Sequence, residues 1–182
     1  MRATRSRLSL AGACACAMAA CACIGMRAHA QVDLYSLEAA YIYNFTEFTE
    51  WPAARSAGGV LAVCANPRTE LGAALSKLDG RVVSGRTWHV QPVPEGTEIG
   101  ACNVLIVDDA ASNAAIKSAS ARDVPILVVR AADVDTGDGD GSYIVTLTRE
   151  GDRLRFDIDN KEAVRRHLGL SSKLLRLARN VT

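Results

Sequence analysis

Apolar side chains recur at intervals of three and four through the first patterned segment, at Leu37, Tyr41, Phe45, Phe48 and Trp51. That is the spacing of one helical face, and it predicts a helix over 34–51. Glu38, Thr46, Glu47 and Glu50 fall mostly off this stripe, and Pro52 disfavours helical geometry at Trp51 and ends the segment there. GVLAVCA (59–65) reads as a short strand led in by Gly58–Gly59. Asn66–Pro67 pairs an N-cap with a first-turn proline and opens a helix over 67–78, which Gly80 stops. RTWHVQPV (86–93) alternates in the manner of a strand. NVLIVDD (103–109) and VPILVV (124–129) are apolar enough for strands buried on both faces, and SNAAIKSASAR (112–122) between them reads as a helix opening on a Ser cap. This strand–helix–strand rhythm predicts an α/β fold, a single domain whose largely parallel central sheet carries helices on both faces.

The pattern then changes. YIVTLTREGDRLRFDID (143–159) is two alternating runs around Glu150-Gly151-Asp152, a β-hairpin with its tight turn at Gly151. Two short helices follow, NKEAVRRHL and SSKLLRLARNV. In the second, Leu170, Leu174, Leu177, Ala178 and Val181 form a stripe capped by Ser171 or Ser172.

The N-terminus departs from this globular patterning. Arg2, Arg5 and Arg7 precede a short apolar run of small residues, and Ala28-His29-Ala30 supplies the small-x-small pattern of a signal-peptidase site. Residues 1–30 are therefore expected to be a cleaved signal peptide, cut after Ala30, with 31–182 as the exported domain. Cys21 closes MAAC, which suggests a lipoprotein variant, although Met18 is a poor residue for the first lipobox position. No second apolar run reaches the roughly 20 residues that span a bilayer, so the mature chain is expected to be soluble, without membrane insertion.

Export changes the charge. Residues 1–30 hold four arginines and no acid, so the mature chain carries 17 basic against 20 acidic residues, a formal charge of −3. Weak net acidity argues against a nucleic-acid partner, because that binding depends on neutralising phosphates. Four of the six cysteines also leave with the signal, and Cys64 and Cys102 remain. Two cysteines in an oxidising compartment are expected to pair, and their places at the end of one apolar run and the start of another suit neighbouring strands. The alternatives are a reactive thiol or a metal pair; the latter needs further ligands, and only His89 and His167 remain in the mature chain, neither at ligand-like spacing.

Candidate chemistry is sparse. DVDTGDGDGS (133–142) does not keep calcium-loop spacing from either Asp133 or Asp138 and reads as a solvated turn. Leu170 stands where a Ser-x-x-Lys motif ending at Lys173 needs its serine. No Gly-rich phosphate loop follows a strand. Asp108 and Asp109 end a central strand, where α/β sheets bind ligands, but adjacent Asp residues also open helices. His89, beside Trp88, reads as structural. Arg165, Arg166 and His167 could grip a phosphate or carboxylate, or simply complement a helix end. Nothing assembles a nucleophile, base and orienting group, so no enzyme, cofactor or metal is expected. Tyr43 and Asn44 lie at or beyond the edge of the first helix's stripe and are the candidates for partner contact.

Two ends of the mature chain share one resemblance. EAAYIYNFTEFTEWP, through Ala39, Tyr41, Asn44, Phe45, Phe48, Trp51 and Pro52, resembles the N-terminal motif of the YfiR-like (YfiR/HmsC) family of periplasmic regulators. LSSKLLRLAR, with Ser171, Ser172, Lys173, Leu174, Leu175, Leu177 and Ala178, resembles the family's closing motif, and the resemblance spans 33–181. It places Cys64 and Cys102 where the family often carries a disulfide. Glu38 stands where a Lys is common, His167 where a Gly is common, and Asp138–Asp140 interrupt a typical Gly-Gly. The resemblance implies a periplasmic repressor that binds the periplasmic sensing domain of an inner-membrane diguanylate cyclase, lowering cyclic di-GMP and so restraining exopolysaccharide and biofilm formation. It also implies an outer-membrane lipoprotein that sequesters the repressor, and a homodimer. The alternative is a periplasmic binding module for a small anionic or nucleotide-like ligand, reporting to a sensor kinase or transporter.

Overall fold

The first helix, α1 (Leu34–Glu47), opens on Asp33, whose carboxylate accepts from the Tyr35 N–H at 3.2 Å and the Ser36 hydroxyl at 2.6 Å. It closes four residues earlier than the apolar spacing predicts. The Thr49 hydroxyl donates to the Phe45 carbonyl at 2.7 Å, taking the acceptor that the Thr49 N–H would use in a longer helix. Thr49–Glu50 is instead a short strand, β1, antiparallel to β9 (Gly169–Leu170), and the Phe48 carbonyl accepts from Ser171 N–H at 3.0 Å. Pairing with the end of the chain replaces the last helical turn.

Its buried face is also rotated from the expected stripe. Glu38, Ala39, Ile42, Phe45 and Thr46 face the interior, whereas Leu37, Tyr41, Phe48 and Trp51 are only half-buried. The polar residues are tolerated there because each has a partner: Thr46 donates to the Tyr43 carbonyl at 2.7 Å, and Glu38 accepts the Ala132 N–H at 2.8 Å.

The structure, a computed structural model, describes residues 33–94, 96–117, 124–134 and 142–182. After the single turn α2 (Ala53–Ser56), the elements are β2 (Val60–Cys64), α3 (Glu70–Ser76), β3 (Val82–Val83), β4 (Arg86–Gln91) and a 3-10 turn at Gly96–Ala101. Then come β5 (Val104–Val107), α4 (Ala110–Lys117), β6 (Leu127–Arg130), β7 (Val145–Glu150), β8 (Arg153–Ile158), α5 (Asn160–Arg165) and α6 (Ser172–Leu177). Seven strands form one sheet in the order β3-β4-β2-β5-β6-β7-β8. The inner run from β4 to β7 is parallel, and β3 and β8 add antiparallel edges. The expected α/β class holds, with Gly151 at φ +60° in the predicted hairpin turn.

Every side chain of β5 is buried, and they alternate between two cores. Val104 and Ile106 join Ile42, Phe45, Leu71 and Leu75 beneath α1 and α3. Leu105 and Val107 join Ile99 and Ile116 on the α4 side. On that side lies the disulfide Cys64–Cys102, which ties the end of β2 to the turn leading into β5, with Cα atoms 5.8 Å apart. Neither cysteine is exposed.

Several boundaries shift for local reasons. Thr69 caps α3 by accepting the Gly72 N–H at 3.0 Å, while Asn66, the expected cap, accepts from the Arg68 N–H at 3.0 Å and forms a turn ahead of the helix. Asp109 caps α4 in place of Ser112, accepting the Ser112 N–H at 2.7 Å. Residues 118–122 of that predicted helix, and the Gly-rich stretch 135–141 with Asp138–Asp140, lie outside the described residues. The last helix stops at Leu177, where Ala178 turns extended, and Val181 pairs in parallel with Ile158. The expected stripe therefore breaks: Leu174 is buried, whereas Leu177 is 69 % exposed.

His167 sits at φ +58°, just past α5. Its N–H donates to the Val164 carbonyl and that of Leu168 to the Ala163 carbonyl, both at 2.9 Å, which is a Schellman closure. A left-handed residue strains any Cβ, which accounts physically for the Gly that the family resemblance leads one to expect. His167→Gly is expected to stabilise the protein by about 1 kcal/mol, read from chemical denaturation. Joint Cys64→Ser and Cys102→Ser replacement is expected to cost roughly 4 kcal/mol by the same measurement, because the bond closes a loop spanning 38 residues. Mass spectrometry of unreduced protein is expected to show two hydrogens fewer than the dithiol form.

Candidate functional site

The aromatic residues of α1 divide between two ends of the sheet. Towards β3 and β4, Tyr43 donates its hydroxyl to the Val82 carbonyl at 2.8 Å and sets its ring 5.2 Å from that of Trp88. Packing therefore accounts for Tyr43, contrary to its expected freedom at the stripe's edge. Towards β8, Tyr41, Phe45 and Phe156 make an edge-on cluster with centroids 4.9–6.2 Å apart. Trp51 lies under the Arg86 guanidinium, 5.6 Å from its centroid.

Between α1, β8 and α6 this leaves an apolar groove of about 530 Å³. Tyr41, Asn44 and Phe48 line one side; Phe156, Leu174 and Leu177 line the other. Asn44 is exposed and lies on the groove. Arg155 also lines it, so an apolar floor carries a cationic side chain. A floor of aromatic and aliphatic side chains with one charged and one amide group beside it suits contact with a protein surface rather than a reaction centre.

The expected anion grip is not assembled as an open site. Arg165 and Arg166 both donate to Glu162, with Arg166 Nε at 2.7 Å, and Arg166 is fully buried (0 % exposed). Their hydrogen bonds work against the desolvation of Glu162 and hold its carboxyl below the usual range. His167 is exposed on the far side of the Schellman turn. His89 is exposed, with Nδ1 3.3 Å from Asp79. Glu38, 1 % exposed, has its carboxyl pushed up by burial, opposed by the Ala132 N–H and by Arg149 at 3.9 Å. Arg149 also pairs with Asp133 at 2.7 Å. Among the described residues no group of three or more His, Cys, Asp or Glu could hold a metal ion. No helix among them is long and apolar enough to cross a membrane.

The YfiR/HmsC-like family model matches residues 35–179. The chain belongs to the YfiR/HmsC-like family. The matched span takes in α1 with its groove, both sheet edges, the disulfide and α6. Members of the YfiR/HmsC-like family are generally periplasmic regulators of diguanylate cyclases. No curated protein matches the chain.

At the end of β5 the two adjacent carboxylates behave oppositely. Burial lifts the Asp108 carboxyl to about 6 despite the hydrogen bond it accepts from the Thr69 hydroxyl. Asp109 is held below the usual range, because bonds from Ser112 and Asn66 outweigh its burial. A carboxyl raised on folding stabilises fully below the unfolded value and loses that contribution as pH climbs through the folded one. Asp108 therefore weakens the fold progressively between about pH 4 and 6. Asp108→Asn is expected to be more stable than the parent at pH 7 by about 1–2 kcal/mol, allowing for solvent screening, and equal to it near pH 3. Urea unfolding of both proteins across that range measures the difference.

Proposed function

We propose that this protein is a periplasmic repressor that binds the sensing domain of an inner-membrane diguanylate cyclase through the groove against α1. Membership of the YfiR/HmsC-like family over residues 35–179 carries the reading. The groove supports it, offering Asn44, Phe48 and the exposed Leu177 as an anchor patch with Arg155 beside them. Holding a partner inactive requires only that the repressor bind one of its states better than the other. The absence of any assembled nucleophile and base among the described residues is compatible with that role.

In this reading residues 1–30 direct export and are removed, and 31–182 act in the periplasm. An outer-membrane lipoprotein that competes for the repressor would release the cyclase. Tyr43 contributes by seating α1 through Val82 and Trp88, and Asn44 by direct contact.

Co-purification of the mature protein with the periplasmic sensing domains of the diguanylate cyclases of the same cell tests the reading, alongside cyclic di-GMP in a deletion strain. A complex and a rise in cyclic di-GMP on deletion are expected. Leu177→Asp and Asn44→Arg are each expected to weaken the complex at least about tenfold, with less than about 1 kcal/mol lost in stability, because both side chains are exposed. No complex together with unchanged cyclic di-GMP would overturn it.

A further inference from the structure

The neighbouring parallel strands β2 and β5 send their chains to opposite faces of the sheet. After β2 the chain enters α3, whose Leu71 and Leu75 pack with α1; after β5 it enters α4, whose Ile116 packs on the other side. Diverging connections at the carboxyl ends of adjacent parallel strands leave a crevice, the usual ligand position in open α/β sheets. Here the crevice has a volume of about 750 Å³, within the roughly 300–1,000 Å³ of small-molecule sites.

Its walls are apolar and built from small residues. Pro92, Val93 and Pro94, which follow β4, line it, as do Ala114 and Ala115 of α4. The polar groups come from the two diverging loops. Asp109 is already engaged: one oxygen accepts Asn66 Nδ2 at 2.6 Å, and the other accepts the Ser112 N–H and hydroxyl, each at 2.7 Å. The Arg68 guanidinium, exposed in the crevice, makes no ion pair or hydrogen bond among the described residues. Its loop is held in place. The Arg68 N–H donates to Asn66 Oδ1 at 3.0 Å, and a Cβ on Gly72 would stand 1.9 Å from the Asn66 carbonyl oxygen, so only glycine allows α3 this close.

The geometry points to a small-ligand site in this crevice for an organic monocarboxylate with a compact apolar body. The carboxylate meets Arg68, which can bind it through two parallel N–H groups. The apolar body lies between the prolines and the alanines. A phosphate suits the crevice less well. The Ser112 and Asn113 N–H groups that would meet it at the start of α4 are taken by Asp109, whose own negative charge lies there. This site goes beyond the repressor reading and stands without it, since no residue lines both crevice and groove.

Benzoate, acetate and inorganic phosphate serve as probes against a sodium chloride control, with binding read by thermal shift and by backbone amide NMR titration of the mature protein. Benzoate is expected to bind saturably and raise the melting temperature by a few degrees, at least tenfold tighter than acetate, and phosphate to match the salt control. Amide shifts are expected at Arg68, Val93 and Ala114. Arg68→Ala is expected to lose at least tenfold in benzoate affinity, and Ala114→Phe, which fills the crevice and keeps the charge, to lose binding as well. Capture of the cyclase domain is expected to be unaffected by Arg68→Ala. An absent or non-saturating benzoate response, shifts clustered away from the crevice, equal affinity in Arg68→Ala, or phosphate binding in place of benzoate would each overturn the proposal.

Discussion

The four side chains of β5 have no solvent face, and most of the architecture follows from that. Val104 and Ile106 need one cover and Leu105 and Val107 another, so helices must lie on both sides of the sheet. Two faces to cover also means that the loops after β2 and β5 diverge, which opens the crevice at their carboxyl ends. The disulfide reinforces the same place from the opposite end of β5, since Cys102 lies two residues before Val104 and Cys64 pairs in register with Leu105.

The other half of the molecule is organised by α1. Its seat depends on polar contacts as much as on apolar area: Glu38 to the Ala132 N–H, Thr49 to the Phe45 carbonyl, and Tyr43 to the Val82 carbonyl. Each ties a side chain to a main-chain group where the helix meets a loop or strand end. Because these anchors turn Ile42 and Phe45 inward, Tyr41 and Phe48 are left flanking the interior. With α6 beside them they form the groove. The same anchors therefore fix the position of the groove's α1 wall.

Local signals in the sequence carry through to the structure. The inner strands, the hairpin at Gly151, the Ser171 cap and the cysteine pair are all present. Periodicity gives way where partners distant in the chain compete with it. Apolar spacing continues through Trp51, but the Phe48 carbonyl is claimed by Ser171 N–H, more than a hundred residues away. The spacing of Leu177 from Leu174 is helical, but the residues after it lie along β8, fastened by Arg179 to Asp157 and Glu150. Arg166, a candidate anion ligand by sequence, is buried and donates to Glu162. Arg68 carried no sequence signal at all: one arginine in a turn acquires significance only when the Pro92–Pro94 segment and α4 are brought around it.

The sequence by itself determined the fold class, the hairpin and the family, because these rest on short-range periodicity, turn chemistry and motifs at the two ends of the domain. Which face of α1 is buried, where its last turn stops, which arginines stay free and where the two concave surfaces lie were decided only in the tertiary structure. Those outcomes are settled by competition for main-chain hydrogen-bond partners and by desolvation of charge, and both depend on residues that the chain brings together from far apart.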